Sequence, residues 1–152
     1  MARKRMLSPE FFSSGPVSRL PVTAMLTFAG LWCYFDDFGR GEDDADLVKA
    51  AVWPRRPSHT ARKVAADLDA IAAGGLICRY EAADVRLIHS TSWNEHQKIS
   101  HPTASKLPPC FRHEPRLHEI FLRESGDPLD RFRNGSGKPP ERLASVSGGL
   151  HE

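Results

Sequence analysis

Three helical patterns followed by two strand patterns predict an α+β fold, mainly α. In the first, Met25, Phe28, Ala29 and Trp32 recur at i, i+3, i+4 and i+7 between Pro21 and about Phe35, with Leu26 and Cys33 widening the stripe. A helix apolar over most of its circumference belongs in the middle of a small core. In the last of the three, Ala61, Val64, Ala65, Leu68, Ile71 and Ala72 gather on one side of a helix from Thr60 to Ala73, at about 100° per residue. The two strand patterns, Leu76 to Tyr80 and Val85 to Ser90, read as a hairpin, with Val85, Leu87 and His89 opposing Arg86, Ile88 and Ser90.

Each element has local signals for its ends. Pro21 suits a first helical turn, where its missing N–H costs nothing. That helix stops at Asp36-Asp37-Phe38-Gly39-Arg40-Gly41, a turn-rich acidic loop. A shorter helix follows from about Asp44 to Val52, its acidic first turn complementing the helix dipole. Trp53-Pro54 closes it, because a residue before proline is pushed away from helical angles. Ser58 or Thr60 can cap the next helix, and Gly74-Gly75 ends it. Glu81-Ala82-Ala83-Asp84 joins the two strands. Helix, helix, helix, strand, strand is the plan of a winged helix-turn-helix, in which the third helix enters the major groove of DNA and the hairpin forms the wing.

The expected division is a basic arm over residues 1–6, a folded domain over 7–108 and a tail over 109–152. Beyond Pro108-Pro109, Gly, Pro, Ser and Arg accumulate, and such a segment cannot offset the entropy of ordering itself. The tail is therefore expected to be mostly disordered, apart from a short helix over 116–123. No stretch approaches the ~20 apolar residues of a membrane span. The basic start has no apolar run behind it, so it does not read as a secretory signal. Cys33, Cys78 and Cys110 are odd in number and widely spaced, which fits a reducing interior and a cytoplasmic protein.

A net charge of +2, from 21 Lys and Arg against 19 Asp and Glu, excludes a uniformly basic chromatin-type protein. Local charge is more informative. Arg55, Arg56, Ser58, His59, Thr60, Arg62 and Lys63 cluster where a helix N-terminus leaves backbone N–H groups free for phosphate. Arg62 and Lys63 fall in the first turn, where a recognition helix meets base edges, and Ala66 continues that face with a short side chain. A solvated helix face explains the same residues without any ligand. Arg79 and Arg86 flank the expected wing, Lys98 follows it, and Arg3, Lys4 and Arg5 would form a flexible arm for the minor groove or backbone.

Catalytic machinery is not expected: there is no phosphate loop, serine elbow or dinucleotide fingerprint. Asn94, His96 and His101 lack the paired motif of a His-Asn-His nuclease. The acidic residues from Asp36 to Asp46 lack the EF-hand order of ligands and read as a solvated cap or a face turned away from DNA. Cys110, His113 and His118 are three candidate ligands in one stretch, but no paired Cys precedes them at finger-like spacing, so neither metal nor cofactor is expected.

Several segments occur in a shared order: Met1-Ala2-Arg3-Lys4-Arg5, Pro9-Glu10-Phe11-Phe12, Gly30-Leu31-Trp32, Asp36-Asp37-Phe38-Gly39-Arg40 and Val52-Trp53-Pro54. Leu68-Asp69-Ala70-Ile71, Gly75-Leu76-Ile77-Cys78-Arg79-Tyr80, Trp93-Asn94-Glu95-His96-Gln97-Lys98-Ile99 and Ser105-Lys106-Leu107-Pro108 follow. Together, over about residues 1–109, they resemble the N-terminal winged-helix domain of phage and prophage replication initiators, or replisome organisers, and their short helix-turn-helix relatives. The resemblance implies sequence-specific binding of double-stranded DNA in a bacterial host, for replication initiation or transcriptional regulation. It also implies a helicase or helicase loader as partner in the initiator members, through a C-terminal domain that the short tail here does not match. A homodimer would suit paired half-sites. The rival expectation is a protein-interaction module that inhibits or recruits a host replication or transcription enzyme through the acidic loop and residues 116–123.

Overall fold

The apolar helix around Phe28 is the centre of the molecule, here a computed structural model that describes residues 3–125. In chain order the elements are α1 (Glu10–Ser13), α2 (Gly15–Ser18), α3 (Val22–Tyr34), β1 (Arg40–Glu42), α4 (Ala45–Val52), α5 (Ala61–Ala73), β2 (Ile77–Ala82), β3 (Val85–Ser90), α6 (Trp93–His96) and α7 (Pro115–Ser125). The fold is α+β, with a three-stranded antiparallel sheet ordered β1-β3-β2. Among the described residues no helix is long and apolar enough to cross a membrane.

α3 packs against α4 and α5, burying Ala24, Thr27, Phe28, Leu31 and Trp32. Gly30 permits the approach of α4, because a methyl at that position would overlap the side chain of Val52. Phe11 of α1 closes one end, stacked on Phe28 at 5.8 Å and edge-on to Trp32 at 5.4 Å. Thr60 caps α5 as expected, accepting from the N–H of Lys63, and Asp44, expected as the acidic start of α4, caps it by accepting from the N–H groups of Asp46 and Leu47.

One buried carboxylate runs against the apolar pattern. Asp67, on the inner side of α5, accepts from Thr23 Oγ1 at 3.0 Å, Thr27 Oγ1 at 2.7 Å and His59 Nε2 at 2.8 Å. Trp53 Nε1 donates to Thr27 Oγ1 at 2.9 Å and completes the network. Each polar group of this network thereby has a partner, the condition under which such a group is tolerated in a core.

The sheet departs from the expected two-stranded hairpin in three ways. First, the acidic loop contains a strand: Asp36 Oδ1 accepts from the N–H groups of Phe38 and Arg40, Gly39 turns at φ +74°, and Arg40–Glu42 then pairs with His89–Leu87. Three residues are too short to carry a period of two. Second, β3 is therefore central, and Leu87, Ile88, His89 and Ser90 are all buried instead of alternating. Ile77 and Ile88 join the helical core, while Cys78, Tyr80 and Leu87 form a second cluster with Cys110 on the opposite face. Third, the turn narrows to Ala83 and Asp84, at φ +52° and +59°, the positive pair of a tight hairpin turn.

Packing also continues past residue 108, where the change of composition places the end of the domain. Pro108, Pro109 and Cys110 are buried, and Tyr80 Oη donates to the Pro108 carbonyl at 2.6 Å. Arg40 grips Glu114 through two hydrogen bonds of 3.2 and 2.9 Å. The helix expected over 116–123 is α7, with Phe121 buried. The rest of the expected tail, residues 126–152, and the first two residues of the arm lie outside the described residues.

Candidate nucleic-acid interface

Burial divides α5 into two sides: Val64, Asp67, Leu68 and Ile71 face inward, while Arg62, Lys63 and Ala66 are exposed. The loop before it exposes Arg55, Arg56, Ser58 and Thr60. Lys63 Nζ donates to the Ser58 carbonyl at 2.8 Å, tying the first helical turn to the loop. Among the described residues, Arg55, Arg56 and Arg62 make no ion pair. The result is a cationic, low-profile surface at a helix N-terminus, the arrangement that attracts a phosphodiester backbone.

His59 is a correction to that surface. The basic cluster places it among the contacts, but its ring is buried, lies 4.0 Å from that of Trp53 and donates to Asp67. Its place is to fix the loop that carries Arg55 and Arg56. The i, i+4 pair Thr23 and Thr27 in an otherwise apolar helix was the signal for such a buried acceptor.

The expected flanking cations are less available. Arg79 binds both carboxylate oxygens of Asp43, at 2.8 and 2.9 Å, and also Asp69. The hydrogen bonds it donates to Asp43 raise its already high pKa, so its charge is compensated. Arg86 is exposed but stands opposite Glu81 in the hairpin register. Lys98 is exposed.

The arm is docked, which corrects the expectation of a free one. Arg3 pairs with Asp37, whose carboxyl is held well below the usual range by that guanidinium and by the Thr103 N–H. The Arg5 side chain is buried, donates to the carbonyls of Trp32, Phe35 and Asp36, and lies 5.1 Å over the Trp93 ring. Only Lys4 of the three is exposed. Asp36, Asp37 and Asp43 are thus internal partners of the fold, while Asp44 caps α4 and Glu42 and Asp46 are exposed.

After the hairpin, Trp93 belongs to the core, and Gln97 is buried against the backbone of Met6, donating to its carbonyl at 2.7 Å. Asn94 and His101 are exposed, while His96 stacks on Trp32 at 5.8 Å. His118 is engaged with the backbone, its Nδ1 2.8 Å from the Pro109 carbonyl. Cys110 and His113 instead meet Cys78 and His89 across the sheet. Burial pushes the Cys78 thiol up, with Cys110 adding to the rise, and pushes the His89 imidazole down, which keeps it neutral.

No protein-family model matches the chain, and no curated protein or solved structure matches it.

Proposed function

We propose that this protein is a winged helix-turn-helix binder of double-stranded DNA, with α5 as the helix that enters the major groove. The observation that carries the reading is the exposed cationic start of α5, free of ion pairs among the described residues, with Arg62 and Lys63 in the first turn and Arg55 and Arg56 just before it. The order α3, β1, α4, α5, β2, β3 and the sheet order β1-β3-β2 support it, since they set one amphipathic helix beside a hairpin. Ala66 leaves room for close approach of the helix to base edges. Arg86 would meet backbone phosphate from the hairpin, and Arg55 and Arg56 would do so from the loop. The role is binding, not catalysis, and serves replication initiation or transcriptional control of a phage or prophage.

Selection of bound fragments from a random duplex pool, followed by fluorescence anisotropy over a salt series, tests this. The expected result is an enriched site whose affinity falls steeply with salt, by a log–log slope of about −0.9 per phosphate neutralised. Arg62→Ala/Lys63→Ala should weaken binding at least tenfold, on the order of 1–3 kcal/mol for each side chain removed from a base edge, while leaving stability within about 0.5 kcal/mol. Unchanged binding by that variant would remove α5 from the interface.

A second reading has one observation in its favour: α7 exposes Leu117 and Ile120 one turn apart, an apolar spot suited to a protein partner such as a helicase or its loader. The acidic loop contributes less to that reading, because Asp36, Asp37 and Asp43 are engaged internally, although Glu42 and Asp46 are exposed.

A further inference from the structure

We propose that Cys78, His89, Cys110 and His113 form a Cys2His2 site for a structural Zn2+ ion that pins the chain after residue 107 to the outer face of the sheet. The inference is independent of DNA binding. One ligand atom from each residue lies within 4.8 Å of all the others. The individual distances carry more. Cys78 Sγ to Cys110 Sγ is 4.0 Å, Cys110 Sγ to His113 Nδ1 is 3.6 Å, and His89 Nε2 to His113 Nδ1 is 3.2 Å. Zinc–sulfur bonds of about 2.3 Å and zinc–nitrogen bonds of about 2.0–2.1 Å at tetrahedral angles give edges of roughly 3.8 Å for S–S, 3.6 Å for S–N and 3.3 Å for N–N. The three observed edges follow that order and lie within a few tenths of an ångström of it. The sulfurs stand about twice as far apart as the ~2.05 Å of a disulfide.

The fold explains why these four meet. Cys78 and His89 are direct cross-strand partners of β2 and β3, so their side chains leave the same face of the sheet side by side. Cys110 and His113 occupy one turn of the segment that crosses that face, brought there by the Tyr80 hydrogen bond to Pro108 and the Arg40–Glu114 pair. His89 is also oriented. Its Nδ1 is 3.1 Å from the Ser90 carbonyl, which places the ring proton on Nδ1 and leaves the lone pair on Nε2 directed at the cluster. A backbone carbonyl behind a ligating imidazole is the usual outer partner of a zinc histidine.

Two thiolates balance the dication, so the loaded site is neutral, as its burial requires. Four protein ligands complete a tetrahedron and leave no open position for water or substrate, which makes the site structural. Two sulfur and two nitrogen ligands in this geometry select zinc over hard cations.

The test uses the full chain, expressed and purified under reducing conditions without chelator. Elemental analysis should give one zinc per chain. Replacement by Co2+ should give the visible bands of a tetrahedral ion and the near-ultraviolet charge transfer of two thiolates. His113→Ala replaces an exposed ligand with little risk to folding, and should lower zinc affinity by at least the roughly tenfold that losing an outer partner alone costs. Cys110→Ser should weaken the thiolate charge transfer, since only Cys78 remains to supply it, whereas Cys33→Ser and His118→Ala should leave metal content unchanged. Wild-type protein that takes up neither zinc nor cobalt, that holds iron instead, or that isolates with a Cys78–Cys110 disulfide would overturn the proposal.

Discussion

The two faces of the β1-β3-β2 sheet are secured by different means. On the helical face, Ile77 and Ile88 join a cluster of fifteen buried apolar residues drawn from α1 to α6 and the loops between them. On the other face the corresponding cluster is Cys78, Tyr80, Leu87 and Cys110, and half of it is cysteine. Burying a large apolar side chain contributes about 1.5–3 kcal/mol, so the first face can hold itself by area alone and the second has little to draw on. Directional interactions take over there: the Tyr80–Pro108 hydrogen bond, the Arg40–Glu114 pair and the proposed metal. A thin layer of chain laid over a sheet needs point attachments where a helix layer does not.

Truncating one fully buried leucine on each face should expose this difference most strongly. Leu68→Ala, on the helical face, should cost about 3–5 kcal/mol in urea unfolding, with the same loss before and after chelation. Leu87→Ala, on the other face, should cost less, and its effect should be coupled to metal content because both act on one segment. Equal and metal-independent losses would erase the distinction.

Next in size is the buried carboxylate. Asp67→Ala strands the donors of Thr27 and His59 and should cost on the order of 2–4 kcal/mol, with Asp67→Asn costing less. Since His59 also positions the loop bearing Arg55 and Arg56, Asp67→Ala should weaken duplex binding although it lies inside the core. Loss of stability with full DNA affinity would separate the network from the loop.

The hairpin turn offers a gain. Ala83 and Asp84 hold positive φ at a turn that favours Asn-Gly, so Ala83→Asn/Asp84→Gly should raise stability by about 1 kcal/mol without changing metal content. Differential scanning calorimetry with elemental analysis checks both.

The smallest effect concerns pH. The Asp37 carboxyl titrates lower in the folded chain than its unfolded value of about 3.9. Its contribution is therefore present above about pH 4 and lost as pH falls through the folded value. Asp37→Asn should flatten the fall of stability between about pH 5 and pH 2, and an unchanged profile would mean the docked Arg3 does not hold it.

The long elements were legible because their signals are repeated or capped. The apolar stripe of α3, the acidic start at Asp44, the Thr60 cap and Gly74-Gly75 put three helices within a residue or two of their observed ends. β1 was not legible, since three residues contain no period, and the double burial of β3 followed from that omission. The exposed residues from Arg55 to Ala66 stand out by charge and spacing, yet His59 and Arg5 were misassigned for one reason. A polar side chain in a basic stretch gives no local sign that its partner lies far along the chain, at Asp67 or Asp37. The four Cys and His residues of the proposed metal site come from two strands and a crossing segment. Once the turn is placed at Ala83 and Asp84, the register sets Cys78 opposite His89, a pairing that linear spacing conceals.

Backbone chemical-shift mapping of the zinc-loaded chain, titrated with its selected duplex, tests the central claim most directly. If α5 enters the groove, perturbations should concentrate over residues 55–66 and around Arg86, leaving Cys110, His113 and α7 nearly unmoved. Perturbations centred on α7 and the outer face of the sheet, with α5 silent, would contradict it.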